Sequence, residues 1–166
     1  MIRVKDAEKS LKYYQEIIGM KLLRTHEASA AGFNLYFLGF GDLPAGAVEG
    51  VNPVADQEGI LELTWNYGTE KDENFSYHDG NKEPQGFGHI ALTVDDLDAA
   101  CARFEEKGAR WKKRLTDGRM KNVAFLLGKI FYRYMRGRKD SNICIDPDGY
   151  WIELVQNEKL KQRSNW

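Results

Sequence analysis

The sequence lacks several features that would place it in a specialised class of protein. Its 166 residues contain no apolar run near the roughly 20 residues that a membrane-spanning helix requires, and the N-terminus shows no secretory hydrophobic segment. The formal net charge is −1, so the composition indicates neither a nucleic-acid-binding protein nor one that adheres to an acidic membrane. We therefore expect a soluble cytoplasmic protein.

Cysteine is also scarce, with only Cys101 and Cys144 in the chain. The first falls in a predicted helix and the second in a predicted loop, so we expect both to be unpaired. Because Cys101 lies on the apolar face of its helix, the sequence indicates a small buried hydrophobic residue rather than a reactive thiol.

An internal repeat is the main feature that is present. Glu62 lies in the apolar stretch ILEL, and Glu153 follows 91 positions later in YWIEL. A predicted helix that ends at Gly19 is likewise repeated by one that ends at Gly108, 89 positions later. The chain therefore contains two copies of a strand–helix–strands unit. Since a charge among apolar strand residues is costly to bury unless it is paired or binds a metal, the two glutamates suggest a shared, pseudo-symmetric site.

The local patterns predict the elements of both units. Apolar residues at helical spacing indicate helices, and alternating or continuous apolar runs indicate strands. In the first unit we predict a helix at 7–18, capped by Asp6 and ended by Gly19, with strands at 20–24, 32–38 and 60–66. In the second unit we predict a helix at 97–107 with strands at 86–92, 123–126 and 150–155.

One stretch does not fit the repeat. Residues 127–144 separate the strand 123–126 from the Asp-Pro-Asp-Gly turn that should follow it closely, and they are rich in lysine and arginine. An atypical insertion at one end of the sheet, a functional basic loop and translated non-coding sequence all remain open. Because the strands 123–126 and 150–155 should pair antiparallel, we expect the insertion to lie outside the sheet. The tail at 158–166 is polar and we expect it to fray.

Several sequence blocks, in this order and spacing, resemble glyoxalase I, the lactoylglutathione lyase of the vicinal-oxygen-chelate superfamily. They lie at 1–6, 34–38, 61–64 with Asn66, 68–70, 76–78, 86–90 and 146–154. The resemblance implies an α+β fold of two tandem βαβββ modules in a single domain spanning 1–166. Module 1 should cover about residues 1–80, and module 2 about residues 84–157.

The resemblance also implies a metal site with two ligands from each module. Glu62, His89 and Glu153 match three of the ligands, a set that suits one divalent ion per site. We expect Zn²⁺ because the long loops at 39–59 and 68–83 resemble the eukaryotic enzyme, although Ni²⁺ or Co²⁺ remains possible. The family carries its fourth ligand, glutamine or histidine, two residues ahead of the position that matches Met1. Either a longer N-terminus supplies it, or this form has a weakened or dead three-ligand site.

Glutathione contacts follow from the same resemblance. The expected substrate-binding residues are Arg3 and Asn66 for the γ-glutamyl group, Lys113, Arg119 and Met120 for the glycyl carboxylate, and His89. Phe125 is a candidate for the apolar pocket at the aldehyde end. The family usually has an arginine where this chain has Gln85, so one charged clamp on the substrate is expected to be missing.

The implied activity is the isomerisation of the methylglyoxal–glutathione hemithioacetal to S-lactoylglutathione. Glu153 is the expected catalytic base and Glu62 flanks the metal from the other side. We expect a homodimer or one half of a fused two-domain form. The alternative is an impaired or non-catalytic small-molecule-binding member of the same fold. A ring-cleaving dioxygenase is disfavoured, since neither His26 nor His78 lies where a two-histidine, one-carboxylate iron site needs it.

Overall fold

The computed structural model describes residues 1–42, 52, 54–114, 116–117, 123–126 and 147–157. The chain divides into two compact units, Met1–Tyr77 and His78–Trp166, each with a four-stranded sheet. The predicted insertion at 127–144 and the tail at 158–166 lie outside the described residues. Among the helices that are described, none is both long enough and apolar enough to cross a bilayer.

The first unit has the strand order β1-β4-β3-β2. Its first strand is parallel to the fourth, and the other neighbours are antiparallel. The elements in chain order are β1 (Ile2–Val4), α1 (Ala7–Lys12), a π-helical segment (Tyr13–Ile18), β2 (Lys21–Ala28), β3 (Phe33–Gly39) and β4 (Leu61–Asn66).

The helix predicted at 7–18 has the expected extent, but only its first half is α-helical. The carboxylate of Asp6 accepts a hydrogen bond from the amide of Lys9 at 3.2 Å, which confirms the predicted cap. At the other end, the amide of Gly19 donates to the carbonyl of Tyr14 at 3.1 Å, five residues back, as in a π-helix. Gly19 then ends the helix with φ 91°, a conformation that glycine adopts at little cost.

One face of the first sheet carries the core residues, and the other carries both polar and apolar side chains. The buried side chains of the unit come from the sheet and the helical segment, and include Ile2, Val4, Leu38, Leu61, Leu63, Tyr13, Tyr14, Ile17 and Ile18. Side chains alternate along a strand, so Arg3 and Glu62 lie on the opposite face from these core residues.

The second unit repeats the arrangement with the order β5-β8-β7-β6. The first and last strands of the unit are parallel, and the remaining neighbours are antiparallel. The elements are β5 (His89–Val94), α2 (Leu97–Glu106), β6 (Trp111–Lys113), β7 (Val123–Leu126) and β8 (Trp151–Gln156). Each unit is therefore a βαβββ module, which confirms the predicted α+β fold and the antiparallel pairing of β7 with β8.

Three strands differ from the sequence prediction. The strand β2 reaches Ala28 instead of ending at Arg24, and neither the short β1 nor β6 was among the predicted strands. Both β2 and β6 have a register irregularity, between Leu22 and Arg24 in β2 and between Trp111 and Lys113 in β6. Such irregularities interrupt the alternation of apolar and polar side chains on which strand prediction depends.

The core of the second unit lies between α2 and its sheet. Leu97, Phe104, Ile152 and Leu154 are buried there. Cys101, which we expected to be buried, is only partly so. Burial raises the pKa of its thiol to about 11, and the carboxylates of Asp98 and Glu105 act in the same direction. The expectation of an unreactive thiol is thereby supported although the burial is incomplete.

Candidate active site

His89 and Glu153 form a close pair on the second sheet. The register places His89 opposite Trp151 and Glu153 opposite Ala91 on parallel neighbouring strands, so both side chains lie on the face away from the core. The imidazole Nε2 is 3.0 Å from the carboxylate Oε2. The side chains are 40% and 17% exposed, so the imidazole is open to solvent while the carboxylate is partly shielded.

Aromatic rings surround this pair on the same face. Phe125 lies opposite Glu153 on the neighbouring strand, and its ring meets the imidazole of His89 edge-on at 5.5 Å between centroids. It also contacts Trp151 at 6.0 Å, and the ammonium of Lys112 lies 5.2 Å from the Trp151 ring. The carboxylate of Glu153 thus has aromatic rings beside it on the same face of the sheet.

The first unit carries its own set of candidate residues on one face. Glu62 lies opposite Phe37 on β3, and Arg3 lies opposite Thr64 on β1. Asn66 is two residues further along β4 and shares this face, where its amide donates to the hydroxyl of Tyr77 at 2.7 Å. The two residues expected to bind the γ-glutamyl group therefore lie on the same face of the same sheet as Glu62.

The remaining expected substrate contacts are only partly described. Lys113 lies opposite Phe125, on the same face of its sheet as Glu153. After it, the amide of Arg114 donates to the carboxylate of Asp117 at 2.9 Å, and this hydrogen bond lowers the pKa of Asp117. Arg119 and Met120 lie outside the described residues, so their roles remain predictions.

The chemistry of the His89–Glu153 pair fits a divalent ion. Imidazole nitrogen and carboxylate oxygen are donors that Zn²⁺ accepts, and here they converge on one exposed face. Within the described part of either unit, no group of three His, Cys, Asp or Glu side chains is placed to hold a metal. The expected ligand set draws Glu62 from the first unit and the other two ligands from the second, and it remains a prediction.

Two features of this region were not found by sequence reasoning. Lys112 contacts Trp151 because the register irregularity in β6 changes which side chains reach that face. The pattern of apolar residues does not predict such an irregularity. The imidazole of His78 is hydrogen-bonded within the loop that leads to His89. A glycine-containing loop predicts turns, but it does not predict which side chain forms the hydrogen bonds that hold them.

Comparisons with known proteins agree with this architecture. The family model described as "Glyoxalase/Bleomycin resistance protein/Dioxygenase superfamily" matches residues 1–154. The lactoylglutathione lyase of Schizosaccharomyces pombe is 47% identical over 166 residues, covering 99% of this chain and 48% of the relative. That of Pseudomonas putida is 43% identical over 163 residues, covering 96% of this chain and 84% of the relative.

Solved structures give the same result. Glyoxalase I of Leishmania major superposes with a TM-score of 0.64 at 27% identity, covering 98% of this chain and 87% of that one. Glyoxalase I of Zea mays gives a TM-score of 0.59 at 28% identity, covering 94% of this chain and 43% of that one.

The length of the relatives varies. The chain spans 48% and 41% of the S. pombe and Saccharomyces cerevisiae relatives, which is about half of their length or less. The family match itself covers most of the chain, and the two βαβββ modules have equivalent strand orders. The chain is therefore a member of the glyoxalase/bleomycin resistance protein/dioxygenase superfamily.

Proposed function

We propose that this chain catalyses the lactoylglutathione lyase reaction, in which the hemithioacetal of methylglyoxal and glutathione is isomerised to S-lactoylglutathione. The observation that carries the proposal is the His89–Glu153 pair, 3.0 Å apart on an exposed face. Relatives that are 42–47% identical and named as lactoylglutathione lyases or glyoxalase I support it.

In this proposal Glu62, His89 and Glu153 hold one divalent ion, preferably Zn²⁺, with Ni²⁺ or Co²⁺ as the alternatives. The chemistry that a bound divalent ion supplies is electrostatic stabilisation of negative charge on two adjacent substrate oxygens, which makes the neighbouring C–H more acidic. Imidazole and carboxylate ligands suit all three metals, so the ligand types alone do not choose among them.

Glu153 performs the proton transfer in the proposed mechanism. Its carboxylate takes the proton from the carbon that bears the sulfur and returns a proton to the adjacent carbon, so the reaction is an isomerisation that needs no external oxidant or reductant. Phe125 and Trp151 lie beside Glu153, and they limit the access of water to the transferred proton.

The glutathione part of the substrate would be held by charged and amide side chains. Arg3 can bind a carboxylate through two hydrogen bonds, and Asn66 can form hydrogen bonds with the γ-glutamyl group. Lys113, with Arg119 and Met120 from the segment that follows β6, would meet the glycyl carboxylate. We place the protein in the cytoplasm, where the glutathione pool maintains reduced thiols, as a homodimer or as one half of a fused protein.

The test is turnover by the purified protein after removal and return of metal. We expect chelator treatment to abolish S-lactoylglutathione formation and Zn²⁺ to restore it. Full activity with stoichiometric nickel and no zinc would overturn the choice of metal. Binding of the glutathione adduct without turnover under any of the three metals would instead support a non-catalytic binding protein.

A further inference from the structure

The loop at 78–88 leads directly into His89, and the imidazole of His78 forms hydrogen bonds with the backbone of this loop. The ring Nδ1 accepts a hydrogen bond from the amide of Gly80 at 3.0 Å. The ring Nε2 lies 3.0 Å from the carbonyl oxygen of Pro84. One side chain therefore joins the two halves of the loop.

These two contacts fix the tautomer of His78. A carbonyl oxygen can only accept a hydrogen bond, so Nε2 must carry the hydrogen. An amide N–H can only donate, so Nδ1 must carry a free lone pair. Only the neutral ring with its hydrogen on Nε2 satisfies both partners.

Other contacts continue the connection as far as the residue before His89. The amide of Gly86 donates to the carbonyl of Gly80 at 3.0 Å, and the side-chain amide of Asn81 donates to the carbonyl of Gly88 at 2.8 Å. The backbone at Gly80 packs so closely that a Cβ there would overlap the backbone of Phe87. The start of the loop is thus held against its end.

The same loop also contacts the residue that precedes the strand carrying Glu153. The ring of Phe87 meets that of Tyr150 edge-on, with 5.7 Å between centroids. Tyr150 directly precedes Trp151, the residue opposite His89 in the sheet. The loop therefore leads into the strand of His89 and contacts the residue just before the strand of Glu153.

We propose that His78, in its Nε2–H tautomer, is a positioning residue that sets the imidazole of His89 against the carboxylate of Glu153. The positioning itself is a property of the second unit, and its catalytic consequence rests on the proposed lyase function. A displacement of about 1 Å in a ligand or catalytic group can cost on the order of a hundredfold in rate.

Nuclear magnetic resonance of the ¹⁵N-labelled protein tests the positioning without any turnover. The chain has only three histidines, so long-range ¹H–¹⁵N spectra contain three imidazole patterns. We expect the His78 pattern to be that of the Nε2–H tautomer. In His78→Phe the ring resonances of His89 and the amide resonances of 88–90 should shift. Hydrogen exchange at the amides of Gly80 and Gly86 should be roughly tenfold faster, because the free energy of one lost hydrogen bond corresponds to about a tenfold change in an equilibrium constant.

Graded variants separate positioning from general damage. His78→Asn keeps an acceptor for the Gly80 amide, as in an Asx-turn, so its spectrum should lie closer to that of the wild type than the spectrum of His78→Phe does. If His78→Phe does not fold, His78→Gln and Asn81→Ala provide the same comparison with smaller changes. His26→Phe is the matched control, since His26 is exposed on β2 in the first unit and should leave the His89 resonances unchanged.

Turnover supplies the last readout. We expect His78→Phe to lower kcat by roughly 10- to 100-fold with less than about a threefold change in KM, and His78→Asn to recover part of the loss. A His78 ring in the other tautomer, or unmoved His89 resonances in His78→Phe, would overturn the inference. An inactive wild type with the expected spectra would refute only the proposed function, whereas an active wild type with an equally active His78→Phe would refute only the positioning role.

Discussion

The carboxylate of Glu153 lies between an imidazole and aromatic rings. His89 is 3.0 Å away, and Phe125 lies directly opposite on the neighbouring strand. A carboxylate with such neighbours can serve as a ligand and as a base, and a substitution that keeps its size separates the two roles.

Glu153→Gln should remove nearly all turnover while metal affinity stays within roughly a hundredfold of the wild type. The amide keeps a ligand oxygen but is not a base, and general-base catalysis is commonly worth about 10²–10⁴ in rate. Steady-state kinetics and Zn²⁺ titration measure the two effects. Glu16→Gln, at an exposed glutamate of the first unit, is the control. A wild-type kcat in Glu153→Gln would move the role of base to Glu62 or to hydroxide.

Asn66→Ala should mainly raise KM for the glutathione adduct and leave kcat nearly unchanged. The loss of binding free energy should be about 1–3 kcal/mol, which is the cost of an unmet buried hydrogen bond. The amide of Asn66 also donates to the hydroxyl of Tyr77, so the substitution removes a contact within the protein as well. Tyr77→Phe removes that partner alone and is the control. Equal increases of KM in both variants would show that Asn66 acts only by holding Tyr77.

At the scale of elements, α2 contains a thiol whose titration is coupled to folding. The pKa of Cys101 is raised from 9.0 to about 11, first by burial and then by the carboxylates of Asp98 and Glu105. Above pH 9 the unfolded chain therefore binds fewer protons than the folded one, and stability falls as the pH rises toward 11.

Urea unfolding between pH 8 and 11 tests this coupling in a Cys144→Ser background. The parent should lose stability across this range more steeply than a variant that also carries Cys101→Ala. Alkylation of Cys101 at pH 8 should be slow for the same reason, because the thiolate is the nucleophile. Parallel pH profiles for the two proteins, or rapid alkylation at pH 8, would contradict the raised pKa.

The connection from β7 to β8 gives a second prediction at this scale. Leu126 lies opposite Ile152 in an antiparallel pair, a geometry that needs only a short link. Deletion of 127–144 should leave the sheet folded, since extra loop residues change the closure entropy by only about 1–2 kcal/mol. In a protein that also carries a glutamine or histidine two residues ahead of Met1, we expect the deletion to raise lyase activity. Thermal unfolding and kinetics measure both, and unchanged or lower activity would mean that the segment is harmless or part of the site.

At the scale of the whole molecule, the duplicated units divide the expected ligands, with Glu62 in the first and His89 and Glu153 in the second. In a homodimer that builds each site from two chains, a Glu62→Gln chain paired with a Glu153→Gln chain would form one intact site and one doubly altered site.

Mixing these two inactive variants therefore tests how the units assemble. Refolding them together should restore about a quarter of the wild-type activity, because about half of randomly formed dimers are mixed and half of the sites in those are intact. Each variant refolded alone is the control. No recovery in the mixture would indicate a site formed within one chain or within a fused protein.

Much of the site followed from local patterns. Glu62 and Glu153 each lie on the face of their strand away from the core, between two buried neighbours, as alternation along a strand predicts. The sequence also predicts that the first helical segment is capped by Asp6 and ends at Gly19, since capping depends on a few adjacent residues. The sequence does not predict the π-helical turn or the strand β6, because a change in hydrogen-bond spacing and an irregular register leave little periodicity in the apolar residues.

The sequence by itself determined the duplication, the order of the elements and the faces on which the glutamates lie, because alternation, capping and repeats act over short stretches of chain. Only the tertiary structure decided that His89 meets Glu153 at 3.0 Å and that His78 bridges Gly80 and Pro84. These contacts depend on the register between strands and on the partners that each polar atom finds after the chain has folded. Such partners are fixed by the whole fold rather than by any local pattern of residues.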